Sequence, residues 1–312
     1  MVHQSTQMSK RVGCMIVGAQ KCGTTSLIEY LSRHPCVCSH EQTEFTYFLG
    51  QEQYEWGYER AFDTYFDHCP EDREIFGKHV MVMYSDEAVN RLHKHNPGCQ
   101  VVILLRDPVE RAYSAFWHAR RIGEETLERF EEALAAEQQR IQNDGWEARR
   151  QCAYVQNGLY HEPVSHVLNT FGDKNVLVFT SEELLSRPRE VCSEVFEHCG
   201  MKEHRVNTAP KMNTSKRARS ELLARGQAWL LDPGNPLKRI LRRVLPVRFL
   251  QRVSRLLRSA NETSFDRPAM NPETRRSLVE AFRPHNQKLS RLIDKDLSAW
   301  SGMGESDRKT IS

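Results

Sequence analysis

The chain has 312 residues, of which 39% are hydrophobic and 27% are charged. This length fits one large α/β domain or two ordinary domains, and this composition is typical of a globular protein with a sizeable core. It excludes global disorder, a collagen-like repeat and a small disulfide scaffold. The longest apolar runs, such as 101–105, have about five residues, whereas a membrane-spanning helix needs roughly 20. The first eleven residues lack the apolar stretch of a secretory leader.

The net charge of +3 is unevenly distributed along the chain. Residues 234–260 contain eight arginines and lysines and no acid, so the rest of the chain, +3 less these eight, carries −5. Apolar residues are interleaved with the basic ones, which predicts one or two cationic amphipathic helices broken at Pro246. Three interpretations stay open: contact with an anionic membrane surface, contact with an acidic substrate, or a docked helix with a solvated basic face. Nucleic-acid binding is not expected, because no recognition module accompanies the charge.

The nine cysteines include no CxxC pair, so the usual zinc and thioredoxin spacings are missing. Together with the missing leader, this predicts reduced thiols in a cytoplasmic protein. His34, Cys36, Cys38 and His40 alternate and could share one face of a strand. Their spacing does not fit the common structural zinc motifs, and we expect packing thiols rather than metal ligands.

The predicted elements begin with an apolar strand at 12–17, a glycine-containing turn and a helix that ends before Pro35. A helix start with a capping box is expected at Asp107, Pro108 and Glu110. Further strands are predicted at 75–84, 101–105 and 176–179, and further helices at 86–95, 124–142, 159–171, 182–199 and from 271 onward. Strands that alternate with helices indicate an α/β fold with a mostly parallel sheet.

One domain is expected over 1–300, followed by a flexible tail at 301–312. Within it we expect a nucleotide-binding core at about 11–205, a basic loop and helical region at about 206–270, and a C-terminal helix at about 271–300. Pro284 is expected to kink that last helix.

The most informative motif is the segment 18–25, between the first strand and the first helix. A Walker A loop reads GxxxxGK[ST]. Gly18, Gly23 and Thr25 occupy three of its positions, but the lysine is at 21 instead of 24. Backbone N–H groups and the dipole at a helix N-terminus favour a bound anion, and Lys21 adds a positive charge. A plain turn needs neither the lysine nor three consecutive hydroxyl residues, so the motif predicts a phosphate-binding loop.

A second motif, R-D-P-V-E-R-A-Y-S, occupies 106–114. Arg106 directly follows a predicted buried strand, at the end where ligands bind in open α/β sheets. Ser114 lies about two turns into the next helix, and an arginine fork with a hydroxyl suits a second phosphate. An ion pair between Arg106 and Asp107 or another carboxylate is the structural alternative. The presence of the first motif favours the anion site.

With these motifs in this order, the chain resembles the sulfotransferases that use 3′-phosphoadenylyl sulfate (PAPS). The segments G-A-Q-K-C-G-T-T-S and L-L-R-D-P-V-E-R-A-Y-S are similar to the two nucleotide-binding motifs of the family. The closest branch contains the heparan sulfate sulfotransferases and bacterial relatives, and G-L-Y, V-L-V-F-T-S-E-E-L and D-L-S-A-W extend the resemblance over most of the chain. The resemblance implies a P-loop NTPase-like three-layer fold with a mostly parallel central sheet and helical C-terminal additions.

The resemblance also implies a role for each motif. The first loop would hold the 5′-phosphosulfate of PAPS and the second motif its 3′-phosphate. The nucleotide-binding residues implied are Lys21, Cys22, Gly23, Thr24, Thr25, Ser26, Arg106 and Ser114. Lys21 would also act in catalysis by stabilising charge on the departing 5′-phosphate, and Lys216 and Arg217 are candidates to close over the 3′-phosphate. The altered Walker loop, with no evident metal-binding aspartate, fits a donor that needs no Mg²⁺.

The candidate base is Glu44, the first residue of E-F-T-Y-F. In the resembling family a glutamate followed by aromatic residues is the catalytic base. A carboxylate can take the proton from an acceptor hydroxyl or amine, and burial beside aromatic rings would raise its pKa. His40 is the alternative base, because other sulfotransferase branches use histidine. The structural alternative is a surface glutamate before an edge strand.

The departures from the heparan sulfate enzymes concern the acceptor. Thr46 and Leu49 stand where several of those enzymes have histidine and aspartate. Their lysine in E-K-T-P-A-Y has no clear counterpart, because Lys78 lies nearby but the aligned position before Tyr84 is apolar. Their C-terminal cysteine hairpin is also missing. A heparan-like acceptor is therefore not implied.

We predict a sulfotransferase that moves the sulfuryl group of PAPS, without a metal, to a hydroxyl or amine of a small-molecule or glycan acceptor. A carbohydrate or glycoconjugate is the acceptor that the branch implies. The alternatives are a P-loop kinase, which would need Mg²⁺ and a lysine where Thr24 stands, and a non-catalytic nucleotide-binding module. A cytoplasmic location is expected, with peripheral membrane contact through 234–260 as the open alternative. The sequence does not set the oligomeric state.

Overall fold

The computed structural model describes residues 10–208, 216–218, 262–264 and 267–301. The predicted cationic segment 234–260 and most of the predicted basic region lie outside these residues. The predicted tail, apart from its first residue, lies outside them as well.

The described residues form seven strands and ten α-helices, with short 3₁₀ turns between them. The strands are Val12–Gly18 (β1), Val37–Ser39 (β2), Glu74–Lys78 (β3), Gln100–Leu105 (β4), Val176–Thr180 (β5), Lys216–Ala218 (β6) and Glu262–Ser264 (β7). The helices are Thr24–Leu31 (α1), Gln51–Glu55 (α2), Tyr58–Tyr65 (α3), Asp86–His95 (α4), Pro108–Ile122 (α5), Phe130–Cys152 (α6), His161–Phe171 (α7), Ser181–Ser186 (α8), Pro188–His198 (α9) and Pro272–Leu292 (α10). Among the described helices, none is both long and apolar enough to cross a bilayer.

The central feature is a five-stranded parallel sheet in the order β2-β3-β1-β4-β5. The inner strands β1 and β4 are apolar along nearly their whole length, and Met15 pairs with Gly77 on one side and with Val101 on the other. Continuous apolar strands are expected where helices cover both faces of a sheet. The predicted α/β class with a mostly parallel sheet is confirmed.

The prediction of a strand at 75–84 is wrong for the second half of that range. β3 ends at Lys78, and a 3₁₀ turn occupies Val82–Tyr84. The backbone N–H of His79 still donates to Ile16 O of β1, and the chain then turns, with the N–H of Val82 donating to His79 O. The apolar run is buried except for the half-buried Val80, and a short buried run does not reveal by periodicity whether it is a strand or a helical turn.

Two helix predictions also need correction. The helix predicted at 124–142 begins only at Phe130 and runs to Cys152, because Glu124 and Glu125 are held in a turn against Ala119 O. Its axis breaks at Gly145, where φ is 54°. The helix predicted at 182–199 is two helices, α8 and α9. The second begins at Pro188, whose ring and missing N–H do not allow an unbroken helix.

The chain forms two compact units. The first comprises the described parts of 1–108, 159–211 and 282–312 and contains the parallel sheet. The second comprises the described parts of 109–158 and 212–281, with α5, α6 and the antiparallel pair β6–β7. The predicted division of a single domain into core, basic region and C-terminal helix stays a prediction. Helix α10 begins at Pro272 as predicted, and its α-helix continues through Pro284.

Buried charge organises the second unit. Glu125 accepts two bonds from the Arg140 guanidinium, at 2.6 and 3.1 Å, and a third from the Tyr154 hydroxyl at 2.7 Å. Arg111 is fully buried and donates to the carbonyl oxygen of Tyr154. Glu137 accepts the backbone N–H groups of the two residues that follow Tyr154, at 2.8 to 3.1 Å. These contacts fix the turn after α6, since leaving any of these buried groups unpaired would be costly.

The prediction that all cysteines are reduced thiols is wrong for one pair. Cys38 of β2 and Cys69, four residues after α3, form a disulfide with Cα atoms 5.7 Å apart. The seven other cysteines are free thiols, and five of them are buried. This pairing is not predictable from the spacing of the cysteines, because partners 31 residues apart match no spacing motif.

Candidate active site

The candidate side chains of the first unit lie at or beyond the carboxyl ends of strands. Glu44 lies beyond β2, Lys78 is the last residue of β3, Lys21 lies beyond β1 and Arg106 follows β4 directly. The strands are parallel and adjacent, so these ends meet at one edge of the sheet. Ligands bind outside this edge in open α/β sheets, which makes it the candidate active site.

The turn after β1 has the backbone of an anion-binding loop. Lys21 has a φ of 69° and Gly23 a φ of 95°, both in the left-handed region. Glycine adopts this region freely, whereas a lysine there is uncommon and locally unfavourable. Left-handed residues beside right-handed ones turn successive N–H groups to one side and form a concave nest for an anion. Unfavourable backbone of this kind is concentrated at functional turns.

Helix α1 presents its N-terminus to this turn. The residue before it, Gly23, has no capping side chain, and among the described residues no acid lies in the first turn. The first helical bond runs from Leu27 N–H to Gly23 O at 3.1 Å, so the N–H groups of Thr24, Thr25 and Ser26 have no acceptor within the helix. These groups and the positive end of the helix dipole suit a phosphate.

Backbone contacts hold the turn against the neighbouring strands. The N–H of Ala19 donates to Leu104 O of β4 at 2.8 Å. The buried hydroxyl of Ser181, at the start of α8, lies 2.7 Å from Cys22 O and 3.1 Å from Leu105 O. The loop is therefore fixed to β4 and β5 before any ligand binds, which lowers the entropy cost of binding.

Tyr160 links the two predicted nucleotide motifs. Its buried hydroxyl donates to Arg106 O at 3.0 Å and lies 3.9 Å from Cys22 Sγ. Its ring also packs against Trp300 near the end of the described chain. The G-L-Y segment is part of the family resemblance, and the structure shows how its tyrosine positions both motifs.

Glu44 is paired with Lys78 at the end of β3. The Lys78 ammonium lies 2.6 Å from Glu44 Oε1, and the backbone N–H of Val80 donates to Glu44 Oε2 at 3.0 Å. The lysine side chain is 2% exposed and the glutamate 23%, so the carboxylate faces outward and the lysine supports it from within. The role of Lys78 is not evident from the sequence alone. A lysine that ends a buried apolar strand was the signal that could have revealed it.

Burial raises the pKa of the Glu44 carboxyl above its ordinary value, and the Lys78 ammonium and the Val80 N–H partly offset this rise. Desolvation disfavours the charged form, while a cation and a donor favour it. The result is a carboxylate that is a stronger base than a surface glutamate and is still held in place by two donors.

His40, the alternative base, has both ring nitrogens engaged. Nδ1 lies 2.7 Å from Gln42 O and therefore donates, and Nε2 accepts the backbone N–H of Lys78 at 3.1 Å. Burial lowers the pKa of His40 to about 4. Its one lone pair is used in fixing the backbone beside Glu44, which favours a positioning role for this histidine.

Aromatic rings pack around the segment 45–48, which directly follows Glu44. Phe45 and Phe48 are fully buried, and Phe45 packs 5.0 Å from the ring centroids of both Tyr65 and Phe66. The N–H of Phe45 donates to Lys78 O at 2.8 Å, so the loop joins β3 by backbone as well as by side chain. Thr46 contacts the Tyr65 hydroxyl at 2.7 Å, and its hydroxyl donates to Gln53.

The comparisons with known proteins agree with this geometry. A family model described as a sulfotransferase domain matches residues 13–223. The chain belongs to the sulfotransferase family. A solved structure of a sulfotransferase from Alicyclobacillus acidocaldarius is 26% identical, with a TM-score of 0.67, and the match covers 94% of this chain and 99% of that one. The predicted family and the predicted P-loop NTPase-like fold are thereby confirmed.

Curated relatives include the bifunctional heparan sulfate N-deacetylase/N-sulfotransferase 3 of Homo sapiens, 24% identical over 289 residues. The bifunctional heparan sulfate N-deacetylase/N-sulfotransferase 4 of Mus musculus is 24% identical over 298 residues. Each match covers 90% of this chain, which spans only about 30% of the length of these relatives. A sulfotransferase family match does not favour the kinase alternative.

The residues predicted for the 3′-phosphate belong to different units of the chain. Arg106 is half-buried in the first unit, directly after β4. Ser114 is half-buried on α5 in the second unit. Lys216 and Arg217 form part of β6, also in the second unit. Their roles, like that of Cys22 in the loop, stay predictions.

The four alternating residues considered for metal do not form one cluster. His34 accepts the Cys36 N–H and contacts Lys202 O, whereas His40 is occupied as described above. Cys38 is bonded to Cys69. The expectation of packing thiols is therefore wrong for Cys38.

The buried neutral His40 predicts a pH dependence of stability. The folded protein keeps His40 neutral down to about pH 4, whereas the unfolded chain protonates near its ordinary pKa of about 6.5. Between these pH values unfolding takes up a proton. The contribution of His40 to the free energy of unfolding is therefore complete above pH 6.5 and is lost as the pH falls towards 4. The loss is on the order of 3 kcal/mol.

Urea unfolding of the wild type and of His40→Asn, at about pH 7 and about pH 4.5, measures this contribution. We expect the stability of the variant to fall less between the two pH values, because asparagine has no proton to take up. Equal pH dependence of both proteins would show that His40 is not the buried neutral group described.

Proposed function

We propose that this chain transfers the sulfuryl group of PAPS to a hydroxyl or amine of an acceptor. The observation that carries the proposal is the placement of Glu44 and Lys78 at the same sheet edge as the anion-binding turn after β1. An anion cradle alone serves many nucleotides. The Glu44 carboxylate, paired with Lys78 at the end of the neighbouring strand β3, adds the base that the acceptor needs.

The residues of the first unit fit the 5′ end of PAPS. The left-handed Lys21 and Gly23, and the N-terminus of α1 without a capping side chain or a first-turn acid, offer backbone donors and positive potential to an anionic group. Lys21, Gly23, Thr24, Thr25 and Ser26 would hold the phosphosulfate, with Cys22 fixing the loop through its carbonyl. Arg106 would bind the 3′-phosphate, together with Ser114 and with Lys216 and Arg217.

When bound, PAPS supplies the activated sulfuryl group. The chain binds the acceptor so that its hydroxyl or amine faces Glu44, which takes the proton during attack. Lys78 and the Val80 N–H keep the Glu44 carboxylate in one orientation. Lys21 and the loop N–H groups stabilise negative charge at the phosphate end. Each group is held in place beforehand, so catalysis rests mainly on position and electrostatics, and we propose that it needs no metal.

The acceptor class is a carbohydrate or glycoconjugate in this proposal. Support comes from the relatives that are named for heparan sulfate. A heparan-like acidic acceptor has less support, because Thr46 is tied to Tyr65 and Gln53, and Leu49 packs against the core. A cytoplasmic location belongs to the same proposal, as does contact of 234–260 with a membrane or an acidic acceptor, a segment outside the described residues.

Replacement of the base separates an enzyme from a binding module. We expect Glu44→Gln to lower transfer at least about 100-fold, because a general base contributes roughly 10²–10⁴-fold. Affinity for adenosine 3′,5′-bisphosphate should be unchanged. The measurement is transfer of radioactive sulfate from PAPS to the member of a panel of oligosaccharides, lipid-linked sugars and small phenols that the wild type modifies.

The matched control is Glu41→Gln, at an exposed glutamate three residues away. Transfer by that variant should match the wild type. Full activity of Glu44→Gln would remove Glu44 as the base. A wild type that binds the nucleotide and modifies no member of the panel would favour the non-catalytic module.

Lys78 should set the pH at which Glu44 becomes active. The rate rises with pH as the Glu44 carboxyl loses its proton, and the ammonium lowers the pKa of that carboxyl. Lys78→Met removes the charge, so we expect the acid limb of the kcat/KM profile to move to higher pH. Lys78→Arg keeps a cation and should restore the limb. An unmoved limb in Lys78→Met would contradict the pairing.

A further inference from the structure

A second cluster of chemically active side chains lies on the outer strand of the sheet and in the turn after α3. Cys38 belongs to the edge strand β2, and His68 and Cys69 lie in the turn after α3. Their three potential ligand atoms all lie within 4.8 Å of one another. None of these side chains takes part in the proposed sulfuryl transfer.

We propose that Cys38, His68 and Cys69 form a zinc site in the dithiol state, and that the Cys38–Cys69 disulfide is the oxidised form of the same site. Two thiolates and an imidazole are the ligand types that Zn²⁺ prefers, and three protein ligands leave a fourth position for water. The proposal is independent of the proposed function.

The distance between His68 and Cys69 is close to what a tetrahedral zinc ion requires. With Zn–S bonds of about 2.3 Å and Zn–N bonds of about 2.0 Å, the nitrogen and a sulfur lie about 3.6 Å apart. In the structure His68 Nε2 lies 3.8 Å from Cys69 Sγ. The sulfurs, once no longer bonded to each other, need to lie about 3.8 Å apart across the ion. Cys69 lies in a half-exposed bend outside the sheet, whereas Cys38 is part of strand β2, so the separation of the sulfurs would fall mainly to the Cys69 side.

The surroundings of His68 fit a metal ligand. Its Nε2 donates to Ser39 O at 3.1 Å in the disulfide form, and its Nδ1 lies 3.7 Å from an Asp67 carboxylate oxygen. Zinc binding at Nε2 would place the ring proton on Nδ1, facing that carboxylate. A carboxylate behind a histidine ligand fixes its tautomer and raises its basicity.

The chemistry of the exchange balances with an external dithiol as reductant. The reductant gives two electrons and two protons to the disulfide, which yields the two thiols of Cys38 and Cys69 and the oxidised reductant. Zn²⁺ then displaces both thiol protons, and neutral His68 donates a lone pair. Either form ties together the two ends of the segment 38–69, which carries Glu44.

The other cysteines compete weakly for the ion. Five of the seven free thiols are buried, and burial raises the pKa of Cys192 to about 12. Cys36 is exposed and only two residues from Cys38, which makes it the natural control. In the described part of the chain, no other group of three histidine, cysteine or carboxylate side chains meets the same distance criterion.

The test is zinc competition against a chromogenic chelator, with the full chain reduced by a phosphine and, separately, oxidised. We expect one equivalent of Zn²⁺ in the reduced protein and none in the oxidised protein. His68→Ala and Cys69→Ser should weaken binding by more than about 100-fold, beyond the roughly 10–100-fold typical of outer-shell changes. Cys36→Ser should bind as the wild type does.

Cobalt substitution is measured on the wild-type protein, so its result does not depend on whether a variant folds correctly. Reduced wild-type protein with Co²⁺ should show a thiolate-to-cobalt charge-transfer band and the intense visible bands of tetrahedral cobalt. Absence of these bands, zinc binding by the oxidised protein, or binding that survives His68→Ala and is lost in Cys36→Ser would each overturn the proposal.

Discussion

The parallel pairing of β1 with β3 and with β4 is the constraint on which the candidate site depends. It brings the turn after β1, Lys78 at the end of β3 and Arg106 after β4 to one edge of the sheet, although they are separated by up to 85 residues in the chain. The apolar side chains of β1 and β4 are buried on both faces of the sheet, so the register of these strands is strongly fixed. A shift in register would have two effects at once. It would move the phosphate loop away from Leu104, and it would move Lys78 away from Glu44.

The electrostatics of this edge are built from groups that support one another. Lys78 stabilises the Glu44 carboxylate from within, and its own backbone N–H is fixed by the neutral His40. Leaving one member of such a buried arrangement unpaired is more costly than the net value of any single contact. The anion cradle at α1 needs no such partner, since its positive potential comes from the backbone.

Those parts of the fold that depend on local patterns could be predicted from the sequence. β1, α1, β4 and the start of α5 follow from apolar runs, glycines and Pro108. The end of β3 could not, because an apolar run that continues past Lys78 hides the turn at Val82. The motif residues of the anion-binding turn were recognisable by spacing. The Lys78 pairing and the Cys38–Cys69 bond were not, since each joins residues about 30 positions apart through the sheet.

The central claim is that this sheet edge recognises a nucleotide with a 3′-phosphate, and calorimetric titration tests it most directly. The full chain is titrated with adenosine 3′,5′-bisphosphate and with AMP, both in the presence of a chelator. We predict that the bisphosphate binds about 10- to 100-fold more tightly, as expected for one charge-assisted phosphate contact. The preference should be lost in Arg106→Ala. Equal affinity for the two nucleotides, or binding that requires Mg²⁺, would contradict the claim.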